Sequence, residues 1–311
     1  MRHVRTAGAL LVACSIASGC QQTISTRDPI VAVTRQCDGP SNPSPVMSGG
    51  LVAYNADGGY LMVVSQRVGV DRPSDLGTWK WSCTWSRLTA AEDAPRGYAM
   101  AYDPALHMTL LLGQKTMGWD GGQWVDLHAT PPINLGGTSF VYDAARSVMV
   151  LIDSYGTGVN TWTYDGHSWR KVATTGPANE EGAGAAYDPR TKTVVLFGGY
   201  TPGPDGPETL TWSWDGRAWT RLHPAKSPQN GEATLAYDVA TSQMIMVNQL
   251  SETWTWDGTT WNQLDSAAPG YIGATPLVYD SAGRQLILWQ TGMFWDRSQT
   301  WIFNGTWTQL P

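Results

Sequence analysis

The feature that most constrains the fold is a block of residues that occurs six times between residue 47 and the end of this 311-residue chain. In each block a first run ends at a tyrosine followed by Asp or Asn, and an apolar run comes next. A third run, rich in β-branched and aromatic residues, ends just before a turn, and the fourth run begins with Trp. The tyrosine elements are Tyr54-Asn55, Tyr102-Asp103, Tyr142-Asp143, Tyr187-Asp188, Tyr237-Asp238 and Tyr279-Asp280. The tryptophans are Trp85, Trp124, Trp169, Trp219, Trp261 and Trp307. A fixed period of this kind indicates a repeat architecture.

Each block contains four short runs of β-branched and aromatic residues that are bounded by turn signals, for example Met149–Leu151, Thr253–Trp256 and Trp261–Leu264. Pairs such as Asp215-Gly216 separate the third run from the fourth and predict a tight hairpin. One four-stranded sheet buries too little surface alone, so the six must stack around an axis. We predict an all-β, six-bladed β-propeller with four antiparallel strands per blade. The expected blades are about 47–90, 95–128, 136–173, 182–223, 231–265 and 272–311.

The fourth block resembles the kelch repeat of bacterial galactose-oxidase-like propellers, through Tyr187-Asp188-Pro189, Gly198-Gly199, Thr211–Gly216 and Trp219. Two blocks depart from this pattern, with Met117-Gly118-Trp119 in the second and Ser82-Cys83 in the first. The resemblance implies a kelch-like propeller and raises the question of a copper-radical oxidase, which requires a crosslinked Tyr and Cys and paired His ligands. The histidines of the predicted mature chain, His107, His128, His167 and His223, include no pair with close ligand spacing. We therefore expect neither oxidase activity, nor a metal site, nor a cofactor.

The N-terminus has the organisation of an export signal. Arg2 and Arg5 precede an apolar run, which ends at Ala17-Ser18-Gly19-Cys20. This ending resembles a bacterial lipobox and implies cleavage of a 1–19 signal and lipidation of Cys20, with ordinary secretion as the alternative. Residues 20–46, which contain many Ser, Thr and Pro, then form a tether. The expected location is the bacterial cell envelope, on the outer side of a membrane.

The remaining cysteines, Cys37 and Cys83, form an even pair in an oxidising compartment, so we predict a disulfide between them. It would contribute about 3 to 4 kcal/mol. The formal charge of -6 provides no electrostatic attraction for nucleic acid. A monomer is expected.

The repeated aspartates lie at the same place in each block, which favours turn capping over a carboxylate array for Ca²⁺ or catalysis. Trp289 and Trp295 lie outside the repeated aromatic positions and flank a loop that also contains Arg297, so we predict an exposed recognition surface there. The alternative is that these aromatics pack over the edge of the blade. Other binding candidates on the same face are Arg67, Arg72 and Tyr200.

Arg96, Glu181 and Glu232 are expected near the mouth of the central channel, where the first strands begin. They are the candidates for general acid or base work, although each is also explained by solvation of the rim. The leading hypothesis is a lipid-anchored binding or scaffold protein that recognises a protein or a cell-envelope glycan through its loop face. The alternatives are a mutarotase-like or lyase-like carbohydrate enzyme and a purely structural envelope component.

Overall fold

The computed structural model describes residues 50–65, 76–90, 92–132, 138–153, 160–177, 182–198, 210–229, 231–270, 276–290 and 298–310, together with the backbone of 21–25, 32–36, 201–203 and 206–208. The repeats form six sheets of four strands each. Among the described residues, no helix has the length and apolar character to cross a bilayer.

The strands begin and end close to the predicted positions. Blade 1 consists of Gly50–Asn55, Tyr60–Ser65, Gly77–Trp81 and Trp85–Thr89, and blade 2 of Ala99–Asp103, Met108–Leu112, Thr116–Trp119 and Trp124–Asp126. Blade 3 consists of Thr138–Asp143, Val148–Asp153, Asn160–Tyr164 and Trp169–Ala173, and blade 4 of Gly184–Asp188, Thr193–Phe197, Thr211–Trp214 and Trp219–Leu222. Blade 5 consists of Ala233–Asp238, Gln243–Asn248, Thr253–Trp256 and Trp261–Gln263, and blade 6 of Leu277–Asp280, Gln285–Gln290, Gln299–Phe303 and Trp307–Gln309.

The six sheets are arranged in a closed ring. Within each sheet, consecutive strands of the chain pair antiparallel in simple order, so that the first strand lies at one edge and the fourth at the other. The first strands of successive blades contact one another, and the first strand of blade 6 contacts that of blade 1. The predicted six-bladed β-propeller is therefore confirmed, and the ring closes without exchange of strands between the ends of the chain.

Two small hairpins lie outside the blades. Gln21–Ser25 pairs with Ala32–Gln36, within the segment predicted to be a tether. Thr201–Gly203 pairs with Gly206–Glu208, between the second and third strands of blade 4.

The hydrophobic core lies between blades. The second strands are almost completely buried, for example Leu61–Val64 in blade 1. Met62 and Val64 of this strand pack against Met100, Leu111 and Trp119 of blade 2. Burial of each such side chain contributes about 1.5 to 3 kcal/mol, so most of the packing energy depends on having a neighbouring blade.

The turn between the first and second strands is capped by the repeated Asp or Asn. In blades 2 to 6 the Asp Oδ1 accepts a hydrogen bond from the backbone N–H two residues later, at 2.8 to 3.0 Å. In blade 1 Asn55 Oδ1 accepts from the Gly58 N–H at 2.7 Å. The predicted capping role is confirmed, since these side chains are buried within their own turns.

A repeated side-chain hydrogen bond joins neighbouring blades. The Trp that begins the fourth strand donates from Nε1 to the Oγ1 of a Thr in the third strand of the preceding blade. The pairs are Trp124 to Thr78 at 2.9 Å, Trp169 to Thr116 at 3.0 Å, Trp219 to Thr161 at 2.8 Å, Trp261 to Thr211 at 3.0 Å and Trp307 to Thr253 at 2.8 Å. All of these threonines are buried, so each bond satisfies polar atoms that water does not reach.

A double-mutant cycle tests this bond. We expect Thr161→Val to lower the free energy of unfolding by about 1 to 3 kcal/mol, because the Trp219 Nε1–H loses its acceptor in a buried site. The double variant Thr161→Val with Trp219→Phe should cost less than the sum of the single variants. Chemical denaturation measures all three. Thr163→Val, in the same strand, is the control and should change stability by less than about 0.5 kcal/mol; full additivity in the cycle would contradict a coupled pair.

Candidate functional site

The first strands enclose a central channel of about 850 Å³. Residues of the first strands of all six blades line it, and small side chains such as Ala101, Ala185 and Ala233 are among them. The volume lies in the range of about 300 to 1,000 Å³ that is usual for small-molecule sites. The channel is therefore the candidate functional site.

The wall of the channel contains exposed strand edges. Each first strand pairs with its second strand on one side only, so its other edge, which faces the channel, belongs to no sheet ladder. Some groups on these edges bond to the next blade, as in Ser139 Oγ to the Ala183 carbonyl at 3.2 Å and the Leu277 N–H to Thr234 Oγ1 at 2.9 Å. Backbone donors and acceptors that are not used in this way require water or a ligand.

A ring of tyrosines lines one end of the channel. Each first strand ends one residue after its repeated tyrosine. All of these tyrosines border the cavity, namely Tyr54, Tyr102, Tyr142, Tyr187, Tyr237 and Tyr279. Several tyrosines contact the capped turn of the preceding blade. The Ala282 N–H of blade 6, for example, donates to the Tyr54 hydroxyl of blade 1 at 3.2 Å. We call this side of the propeller the tyrosine face.

Burial raises the pKa of three of these tyrosine hydroxyls and so keeps them protonated near neutral pH. Burial, followed by the hydrogen bond with Asp280, raises the pKa of Tyr54 to about 12. Burial, followed by the adjacent Asp57 carboxylate, also raises the pKa of Tyr102. Burial raises the pKa of Tyr187 as well, with a smaller contribution from Asp143. These phenols are poor general bases near neutral pH, so this end of the channel offers aromatic surface rather than catalytic groups.

The opposite mouth opens where the first strands begin, and we call this side the entry face. Glu232, directly before the first strand of blade 5, is exposed and lines the channel. Its carbonyl oxygen accepts a hydrogen bond from the Gln249 N–H at 3.2 Å. Gly182 lies against its side chain, and a Cβ at Gly182 would fall 2.7 Å from the Glu232 Cγ. Glu232 is the one acidic side chain among the channel-lining residues that the structure describes.

Within the described ranges, no three side chains of His, Cys, Asp or Glu are grouped so that they could hold a metal ion. His107 Nδ1 lies 2.9 Å from Asp57 Oδ2 on the tyrosine face, but both side chains are solvent-exposed. This pair therefore links the turns of blades 1 and 2 at the surface.

Comparisons with known proteins place this architecture among solved structures. No protein family matches the sequence, and no curated protein matches it. Among solved structures, a gluconolactonase from Xanthomonas campestris has a TM-score of 0.56 at 13% identity, over 88% of this chain and 93% of the other. A variant of the Aleuria aurantia lectin in complex with α-methyl-L-fucoside has a TM-score of 0.57 at 14% identity, over 86% of this chain and 96% of the lectin.

The PQQ-bound form of an aldose sugar dehydrogenase from Streptomyces coelicolor has a TM-score of 0.50 at 12% identity, over 83% of this chain and 95% of the other. The likeness shows the fold alone. These similar structures, a gluconolactonase, a lectin and a sugar dehydrogenase, support a propeller and not the kelch repeat specifically, which remains a resemblance of sequence.

The structure brings only part of the predicted site together. Glu232 lies at the channel mouth as predicted. Arg96 is exposed, and its carbonyl oxygen lies against Gly113 on the entry face; it does not border the channel. The candidates Glu181, Trp295, Arg297, Arg67, Arg72 and Tyr200 lie outside the described residues, as do Cys20 and Cys37.

The prediction that Trp289 is an exposed binding residue is wrong. Trp289 lies in the second strand of blade 6, and its side chain has 0% exposure. It packs against Trp85 of blade 1, with ring centroids 6.2 Å apart. For Trp289, the alternative that the side chain packs against the propeller is therefore correct.

Sequence reasoning missed two exposed apolar side chains on the entry face, Tyr98 in blade 2 and Leu250 in blade 5. A signal for Tyr98 was present, because it stands four residues before the repeated tyrosine. The other blocks have only small side chains at this position, namely Gly50, Thr138, Ala183, Ala233 and Thr275.

Proposed function

We propose that the protein binds a neutral glycan of the cell envelope at the entry mouth of its central channel. The observation that carries this proposal is the channel of about 850 Å³, whose wall is formed by first-strand edges that belong to no sheet ladder. Such edges present N–H donors and C=O acceptors side by side. A sugar hydroxyl both donates and accepts hydrogen bonds, so it matches this surface.

The electrostatics of the channel disfavour an anionic ligand. A buried charge must be paired with an opposite charge, and the described lining supplies only the Glu232 carboxylate, at the mouth. The tyrosines that border the other end of the channel add aromatic rings without an opposite charge. The names of the similar propellers point to the same chemistry, since they are a gluconolactonase, a fucoside-bound lectin and an aldose sugar dehydrogenase.

Isothermal titration calorimetry with the full chain tests the proposal. The probes are maltose-type, cellulose-type and chitin-type oligosaccharides from monomer to hexamer. We expect at least one series to bind, and Glu232→Gln to weaken binding about tenfold, because a hydrogen bond to a charged group contributes about 1.5 to 3 kcal/mol. Glu92→Gln, an exposed glutamate that does not border the channel, is the matched control. Failure of every series, combined with capture of peptides from an array, would overturn the glycan proposal.

The position of Glu232 also supports the alternative of a carbohydrate-active enzyme. A carboxylate at the mouth of a ligand-sized cavity is placed to act as a general acid or base. The same variant distinguishes the two functions. An enzyme would retain sugar binding in Glu232→Gln but lose turnover of a bound oligosaccharide, whereas a binding protein shows no turnover in either form.

We further propose that the protein is attached to a membrane through lipidated Cys20 after removal of residues 1–19. The support is the order of charged, apolar and small residues before Cys20. Lipid anchoring would hold the propeller among envelope glycans without a membrane-spanning segment.

Cell fractionation tests the anchor. In a bacterial host, the wild-type chain should sediment with membranes and be released by detergent, since two acyl chains give stable attachment. Cys20→Ala should move the protein to the soluble extracytoplasmic fraction. Soluble wild-type protein would contradict lipidation.

We also propose the Cys37–Cys83 disulfide. Cys83 has a φ of 74° in the hairpin between the third and fourth strands of blade 1. In the five other blades a glycine with φ between 90° and 105° occupies this place. A side chain in this region costs about 1 to 2 kcal/mol, and Cys83 is nonetheless buried. A disulfide would explain why a cysteine replaces glycine here.

The substitution Cys83→Gly tests the disulfide, because the crosslink determines whether the substitution lowers or raises the free energy of unfolding. With the disulfide present, Cys83→Gly should lower the free energy of unfolding, because loss of a crosslink worth about 3 to 4 kcal/mol exceeds the relief of backbone strain. In excess reductant, the variant should be equal to or more stable than the wild type. Chemical denaturation in both conditions gives the answer, and stabilisation by Cys83→Gly without reductant would exclude the crosslink.

A further inference from the structure

The connections between the second and third strands differ in length among the blades, and the two shortest belong to opposite blades. Strand direction places the described connections between the second and third strands, those of blades 2 and 5, on the entry face. The two shortest connections are 113–115 in blade 2 and 249–252 in blade 5. The corresponding connections of the other blades are longer, at 66–76, 154–159, 198–210 and 291–298. In a closed ring of six, blades 2 and 5 face each other across the channel.

Exposed apolar side chains lie on these same two blades. Tyr98 of blade 2 is 47% exposed and Leu250 of blade 5 is 59% exposed. Tyr98 directly precedes the first strand of blade 2, and Leu250 lies in the short connection of blade 5. The third large apolar side chain exposed in the described part of the chain, Val239 at 59%, lies in the first turn of blade 5, on the tyrosine face.

Backbone hydrogen bonds position the chain at both residues beside the mouth. The Tyr98 N–H donates to the Leu112 carbonyl at 2.7 Å. Next to Leu250, the Gln249 N–H donates to the carbonyl of channel-lining Glu232 at 3.2 Å. Tyr98 directly precedes a strand that borders the channel, and Gln249 is bonded to the residue directly before another such strand, so the channel mouth lies between the two positions.

Polar side chains beside these positions suit hydroxyl groups. Gln114 is exposed in the short connection of blade 2, and Gln249 is half-buried in that of blade 5. An amide supplies a donor and an acceptor together, as sugar hydroxyls require. Lys115, the cation beside Gln114, is bonded to Asp126 of its own blade at 2.6 Å.

We infer that the entry face binds an extended, neutral polysaccharide chain that crosses the channel mouth from Tyr98 on blade 2 to Leu250 on blade 5. This inference rests on the proposed function and specifies its ligand as a polymer. Tyr98 stacks on one sugar ring, the channel mouth accommodates the units between, and Leu250 packs against a ring at the far side. A monosaccharide is too short to contact both side chains.

The dependence of affinity on chain length tests this arrangement, by titration of the full chain with the oligosaccharide series that binds. The hexamer should bind at least about tenfold more tightly than the monomer, since two separated contacts act together. Tyr98→Ala and Leu250→Asp should each weaken hexamer binding by about tenfold, as expected for anchor residues, and leave monomer binding unchanged. Val239 is as exposed as Leu250 and lies on the same blade, but on the tyrosine face. Val239→Asp should therefore change neither hexamer nor monomer binding.

The outcomes separate this inference from the proposed function. Equal affinity for monomer and hexamer, with no effect of Tyr98→Ala or Leu250→Asp, would overturn the crossing chain while the channel remains a sugar site. Binding of array peptides that both substitutions abolish would assign the surface to a protein and overturn the inference. Circular dichroism and thermal melting of each variant establish that a loss of binding is not a loss of folding.

Discussion

The hydrogen bond from a fourth-strand Trp to a third-strand Thr of the preceding blade is the interaction on which the rest of the structure depends. Each blade buries its apolar surface only against its neighbours, so the geometry between blades determines whether a core exists. Hydrophobic contact is not directional, whereas an indole N–H with a buried acceptor specifies one arrangement. The same Trp stacks or packs on an aromatic of its own third strand, as Trp219 does on Trp214 with centroids 5.4 Å apart. One residue therefore closes a hairpin and aligns two sheets.

The fold could be predicted from the sequence because its determinants are local and repeated. The Tyr-Asp elements mark where each first strand ends, and the Asp or Asn that follows caps the next turn through its own side chain, as Asp143 does for Ala145. The period then requires six equivalent sheets. The ring follows from the need of each sheet to bury both faces.

The site could be predicted only in part, because exposure depends on contacts between distant residues. Glu232 was predicted correctly at the channel mouth because it directly precedes a first strand, whereas Arg96, three residues before its first strand, does not border the channel. Trp289 was assigned to an exposed surface because it interrupts the repeated pattern of aromatics, but the partner that buries it, Trp85, lies at the other end of the propeller in sequence. Leu250 carries no comparable signal in the sequence, because nothing in a short polar connection indicates which side chain points to solvent.

The burial of Trp289 has a consequence for how the ring is assembled. The contact between blades 6 and 1 is the only boundary in the described ring that joins residues from opposite ends of the propeller, and no strand crosses it. Its formation therefore requires closure of the longest loop of the chain, at the largest cost in chain entropy. In blade 4 the position equivalent to Trp289 is occupied by Phe197, which packs against Trp261 of blade 5. At the boundary between blades 6 and 1 this position is a Trp, so that two tryptophans pack together there. The propeller thus places a pair of tryptophans at the boundary whose closure costs the most chain entropy.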